Sequence, residues 1–181
     1  MDKTENIISQ TKKWIIDVVM GCNFCPFAAR VITMDTVHYQ VEITADRKIS
    51  GQAFLQECRR LDANKAIETS FLIFPETFGK FDAYLELVDL VEKLLKKNGY
   101  EGVYQVASFH PLYRFAGSAE DDAANYTNRS IYPMLHLLRE DLVEAALQHY
   151  PSPEQIPERN IGFARQKGVA YMKMLRDACL K

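Results

Sequence analysis

Long hydrophobic runs are missing from this sequence. Its unbroken apolar stretches extend only a few residues, far short of the roughly 20 that a membrane-spanning helix needs, so no membrane partner is expected. An excess of either charge is also missing: 22 Lys and Arg stand against 24 Asp and Glu, for a net charge of −2. A nucleic-acid binder carries a basic stripe, and without one no nucleic-acid partner is expected. Cysteine is sparse. Cys22, Cys25, Cys58 and Cys179 read as free thiols in a chain of this size, not as a disulfide framework. The opening Met1-Asp2-Lys3-Thr4-Glu5-Asn6 places acids early and no apolar core before Lys12, unlike a secretory signal, and a cytoplasmic location is the resulting expectation. There is no internal repeat, low-complexity tract, phosphate loop, dinucleotide fingerprint or zinc-protease motif. Nothing points to a cofactor or to an oligomeric state.

What is present suits one globular domain over residues 1–181: the chain is 48% hydrophobic and 25% charged, enough to build a core. Ile7, Ile8, Trp14, Ile15, Val18 and Val19 recur at helical spacing, which predicts a helix over 3–20 ending at Gly21. Cys25-Pro26 reads as a new helix start with Cys25 as its cap. Val37, Tyr39, Val41 and Ile43 alternate with polar residues as in a half-buried strand. Ser50 reads as the cap of a helix over 51–61, and Phe71–Phe74 as a buried strand closed by Pro75. A helix over 81–97 is expected, with Leu85, Val88, Val91, Leu94 and Leu95 inward and Asn98-Gly99 as its stop. A third strand runs over 103–109 and a polar loop over 111–130. Helical spacing returns over 132–150, and a last helix over 158–178 is weakened by Gly162 and Gly168. This order predicts an α+β fold, a two-layer α/β sandwich with a small mixed sheet of about three strands covered by five or six helices. A doubly wound α/β sheet is the alternative.

Titratable and other polar groups crowd one segment. His110, Arg114, Asp121, Asp122, Asn128, Arg129, Ser130, His136, Arg139 and Glu140 fall within about thirty residues. General acid–base work needs such groups, and anion binding needs guanidinium forks and free backbone N–H groups. If 132–150 is helical, Arg139 lies inside its apolar sector, where a charge must be paired or reach a polar pocket unless it snorkels to the surface. His136 and Glu140 are then one turn apart. A solvated loop followed by an ordinary core helix is the plainer reading. Cys22-x-x-Cys25 lacks the two further ligands of a structural zinc site. Cys25 alone, at a helix start, is a candidate thiol. His38 and His149 read as structural or exposed.

Three segments resemble the domain of unknown function 1415 family, a set of uncharacterised bacterial proteins. They are Asn23-Phe24-Cys25-Pro26-Phe27-Ala28, then Gln105 to Gly117 with its Phe109-His110-Pro111 and Phe115-Ala116-Gly117 pieces, then Asn128-Arg129-Ser130 through His136-Leu137-Leu138-Arg139-Glu140. Cys22 stands where the family usually has leucine, and Ile131 where it usually has proline. The resemblance implies that Cys25 is the family thiol. It implies no activity, because the family has none established.

The leading expectation is an enzyme acting on a small anionic molecule. Arg114, Asn128, Arg129, Ser130 and Arg139 would hold a carboxylate or phosphate. His110 or His136 would move protons, oriented by Asp121, Asp122 or Glu140, with Cys25 as a candidate nucleophile. Two alternatives stand beside it: a metal-dependent hydrolase using His110, Asp122, His136 and Glu140 around Zn, Mn or Fe, and a non-catalytic binding or scaffold protein.

Overall fold

The computed structural model describes residues 2–148 and 150–181; His149 lies outside them. Helix α1 (Lys3–Trp14) begins where the Glu5 carboxylate accepts the Asp2 N–H at 3.0 Å, satisfying one of the donors that a helix start leaves free. It continues into a wider π-helical turn, Ile15–Met20. Gly21 ends that turn, and only glycine fits there: a Cβ would stand 2.3 Å from the Asp17 carbonyl oxygen. Short helix α2 (Ala28–Thr33) leads to strand β1 (Val37–Val41). Helix α3 (Arg47–Ala63) is capped by Asp46, whose carboxylate accepts the N–H groups of Lys48 and Ile49. The expected cap, Ser50, instead sits buried in the first turn and donates to the Asp46 carbonyl.

Strand β2 (Thr69–Ile73) and helix α4 (Phe81–Lys97) follow. The α4 boundaries match the sequence expectation, but the buried face is Tyr84, Leu87, Val91 and Leu95, and Leu85 is 40% exposed. Strand β3 (Tyr104–Phe109) comes next, and a 3₁₀ turn, Ala123–Thr127, breaks up the polar loop.

The helix expected over 132–150 is not continuous. Met134–Arg139 is strand β4, and only Glu140–Gln148 is helical, as α5. The run Met134-Leu135-His136-Leu137-Leu138 matches helical spacing, but a short apolar run buried on both faces gives the same signal. All six β4 residues are buried. Helix α6 (Ile156–Asp177) closes the chain and is kinked at Gly168, which has φ +80° and ψ 161°, a conformation essentially confined to glycine.

The sheet order is β1-β2-β4-β3, with β1 parallel to β2 and β4 antiparallel to both of its neighbours. The α+β class and mixed sheet agree with the sequence expectation; among the described residues the strands number four, not three. Helical cover extends to both faces. Phe71, Ile73 and Met134 pack with α1, its π turn and α6. Leu72, Phe74, Leu135 and Leu137 pack with α3 and α4. Among the described residues no helix is long and apolar enough to cross a membrane.

Candidate functional site

The change from helix to strand at 134–139 redistributes the expected site. Alternate residues of a strand face opposite sides, so His136 points to the α1 face and Arg139 to the α3 face. In the β3–β4 register Phe109 pairs with Met134 and Tyr104 with Arg139. His110 therefore leaves the sheet at the end opposite Arg139, about 20 Å away along the strand. His136 and Glu140 are separated by four extended steps, about 13 Å, and do not share a helix face.

The two buried arginines of the expected anion clamp, Arg129 and Arg139, have other tasks. Arg129 donates from Nε to the Tyr113 carbonyl at 2.9 Å and from a terminal nitrogen to the Glu120 carbonyl at 2.8 Å, and it lies over the Tyr126 ring. It thus fastens the 111–130 loop. Buried Asn125 does the same, accepting from the Phe115 N–H and the Ser118 hydroxyl and donating to the Ala119 carbonyl. Arg139 is buried and donates to the Leu61, Asn64 and Ile67 carbonyls and to the Tyr104 hydroxyl, closing the C-terminal end of α3. Arg114 is exposed beside a shallow groove with Phe81 and Asp82.

The other expected residues are similarly dispersed. Asp121 is exposed. Asp122 pairs with neither Arg129 nor Arg139; it takes two hydrogen bonds from Arg165 of α6, at 3.1 and 2.7 Å, and caps the 3₁₀ turn through the Ala124 N–H. Those bonds, Arg165 first, hold its carboxyl down at about 2. Ser130 is buried and donates to the Tyr132 carbonyl. Glu140 is half-buried at the start of α5. His110 is fully buried with both nitrogens in use: Nδ1 accepts the Leu112 N–H at 2.9 Å and Nε2 lies 2.8 Å from the Phe78 carbonyl. Burial pushes its pKa down. Among the described residues no three His, Cys, Asp or Glu side chains are grouped as metal ligands, so His110, Asp122, His136 and Glu140 do not form the expected metal set.

A different grouping forms on the α1 face. Cys25 lines an outer cleft of about 270 Å³ and a small inner pocket of about 40 Å³. The cleft has apolar walls from Phe24, Phe109, Phe115, Ile156 and Ile161, with Thr127, Asn128 and Asn160 as its polar members. His136 lines the inner pocket with Cys25, Trp14, Val31 and Phe71. Asn128 is thus the one expected binding residue on the cleft, and Cys25 and His136 share the pocket behind it.

Three local features set the Cys25 position. The π turn and the left-handed Asn23, at φ +54°, swing the chain off α1. Arg159 and Asn160 of α6 then donate to the carbonyls of Asn23 and Phe24. Finally the N–H groups of Phe27 and Ala28 reach the Cys25 sulfur and favour its thiolate, although burial has the larger effect and raises the pKa overall. All four cysteines are free thiols, and Cys22, Cys58 and Cys179 are buried. Cys22 lines neither cavity.

His136 is held just as firmly. Its ring stacks on Phe71 at 3.9 Å between centroids. Nε2 lies 2.6 Å from the Thr69 hydroxyl, which is itself 2.6 Å from the Leu137 carbonyl. The hydroxyl must give its own proton to that carbonyl, so it accepts one from Nε2. Nδ1 is then the unprotonated nitrogen. Burial pulls the imidazole pKa down to about 3, so the ring is neutral at pH 7.

Thr69, Asn160 and the cleft wall at Ile156 and Ile161 were not legible as site residues. They are distant in sequence and carry no motif; only the α6–loop contact and the β2–β4 register bring them in. His38 also gains a partner: Nδ1 lies 2.8 Å from the buried Glu57 carboxylate, which also accepts from Ser70 and Arg60. Burial would raise the Glu57 carboxyl, but the bonds from His38 and Ser70 outweigh it and hold it low. No curated protein and no solved structure shows a significant match. A family model does match, over residues 6–174, spanning both Cys25 and His136, and the chain belongs to that family, described as a protein of unknown function (DUF1415).

Proposed function

We propose that this protein is a thiol-dependent acyl-transfer enzyme for a small molecule, with Cys25 as nucleophile and His136 as general base. The observation that carries this reading is that Cys25 and His136 line one inner pocket, with Cys25 also open to the outer cleft. A buried thiol with a raised pKa is a weak nucleophile, so it needs a base at the moment of attack. His136 is neutral with its Nε2–H engaged by Thr69, so Nδ1 is the nitrogen that can take the thiol proton; burial makes it a weak base, and the imidazolium it becomes is stabilised by the thiolate formed in the same step.

In the reaction the thiol proton passes to Nδ1 as sulfur bonds to the substrate carbonyl carbon. The bond to the leaving group breaks, and the leaving group takes the proton back from the imidazole. Water, deprotonated by the same nitrogen, then attacks the thioester and releases the acid, restoring the thiol. The Phe27 and Ala28 N–H groups beside sulfur stabilise negative charge as it develops there. Arg129 and Arg139 take no part in this reaction, because both hold backbone carbonyls.

Incubation with para-nitrophenyl acetate followed by peptide mapping tests the proposal. One acetyl group should appear on Cys25, and none should form in Cys25→Ala. Acetylation confined to lysines or the N-terminus would overturn it.

A further inference from the structure

The cleft also carries information about the substrate. Among the described residues lining the cleft and the inner pocket there is no Asp, Glu, Lys or Arg. The polar members are largely committed. Asn128 donates to the Ser108 carbonyl, and the single Thr127 hydroxyl proton is shared between the Ala124 carbonyl and the Asn128 side-chain oxygen. Asn160 donates to the Phe24 carbonyl and accepts from Arg159. Arg159, next to Asn160 in sequence, donates to Tyr150, Asn23 and Asn160. What remains for a ligand is one spare amide N–H on each asparagine and a large apolar surface. A carboxylate or phosphate buried there would be unpaired, which is strongly unfavourable.

We infer that the acyl group this site accepts is uncharged and apolar, a short aliphatic or aromatic acid presented as an ester or thioester. This rests on the thiol-enzyme reading for its chemistry. It replaces the anionic substrate expected from the arginine-rich segment with a neutral one, and it follows from the cleft walls instead of the loop composition. The size fits: about 270 Å³ lies just under the range of roughly 300 Å³ and above that holds drug-sized ligands. Phe24, Phe109, Phe115, Ile156 and Ile161 would cover the chain, and the spare N–H groups of Asn128 and Asn160 would meet the polar end.

The test compares para-nitrophenyl acetate, butanoate, hexanoate and the mono-adipate ester on the wild-type protein, each rate divided by that ester's rate with hydroxide. Cys25 acylation should rise about fourfold for each methylene buried from acetate to hexanoate. It should fall back toward the acetate rate when the hexanoyl chain ends in a carboxylate. Equal rates for acetate and hexanoate, or an adipate rate at or above the hexanoate rate, would overturn the inference while leaving Cys25 acylation intact. If no ester acylates Cys25, the catalytic reading fails, and binding decides the ligand class separately. Hexanamide should then shift the backbone amide resonances of Phe24, Phe115 and Ile161, and adipamate should not. Binding of neither, or equal binding of both, would overturn the inference.

Discussion

The Thr69 hydroxyl lies 2.6 Å from His136 Nε2 and 2.6 Å from the Leu137 carbonyl. That three-membered chain fixes the imidazole tautomer, leaving Nδ1 as the acceptor. In the proposed reaction Thr69 is a positioning residue, because it contacts His136 and lines neither the cleft nor the inner pocket. Thr69→Val keeps the shape and removes the hydroxyl, so it should slow Cys25 acylation by about tenfold, equivalent to about 1.4 kcal/mol, with the fold intact by circular dichroism. Thr69→Ser should restore most of the rate. A purely structural role would lower stability in Thr69→Val without moving the rate at a temperature where the protein stays folded.

Stability should fall as pH drops below neutrality. The His136 pKa is about 3 in the folded protein, against about 6.5 in an unfolded chain. Between those values the unfolded state binds more protons, so folding stability is full above pH 6.5 and is lost toward pH 3. One such group contributes a loss of about 1.3 kcal/mol between pH 7 and pH 5.5. His110, also lowered by burial, acts in the same direction. Urea unfolding at the two pH values measures the loss, and His136→Gln should remove its share. A pH-independent midpoint over that window would mean that neither histidine is held neutral.

The buried arginines should behave as structural members. Arg139→Gln removes hydrogen bonds to the carbonyls of Leu61, Asn64 and Ile67 and should cost on the order of 3 kcal/mol. Arg129→Gln should loosen the 111–130 loop. Phosphate should raise the Tm of wild type and of a folded Arg129→Gln variant equally, through general exclusion from the surface. A phosphate-dependent gain that vanishes only in Arg129→Gln would revive the anion clamp.

Asn160 ties α6 to the Phe24 carbonyl at 2.7 Å and so holds the loop that carries Cys25. Asn160→Ala leaves a buried carbonyl unpaired and should cost about 1–3 kcal/mol. It should also slow Cys25 acylation without changing the pH dependence of the rate, because the base is untouched. A change in the pH profile would place Asn160 in the proton transfer itself.

Much of the fold was legible because its signals are local. Helix α4 is stopped by Asn98-Gly99 and amphipathic throughout, and its ends matched the structure residue for residue. β4 was not legible. A central strand covered on both faces does not alternate, and Met134 to Leu138 satisfy helical spacing equally well. That one misreading turned Arg139 into a buried helix residue in need of an anion, when it caps α3 from the end of a strand. The candidate site was legible only in part. Cys25 stood out as the expected cap of a helix, although α2 begins only at Ala28 with Phe27 at its N-cap, and His136 stood out by its chemistry, but their shared pocket depends on strand pairing between Phe71 and His136 and on α6 reaching back to the Phe24 carbonyl. Neither contact leaves a pattern in the sequence.

If Cys25 and His136 work as one catalytic pair, the pre-steady-state burst with para-nitrophenyl acetate will depend on both. Wild type should release one para-nitrophenolate per chain in the burst. Cys25→Ala should show no burst, and a folded His136→Gln variant should keep the amplitude with a rate constant about 100-fold lower, the lower end of general-base contributions. A burst that survives Cys25→Ala, or a rate constant unchanged by His136→Gln, would contradict the account.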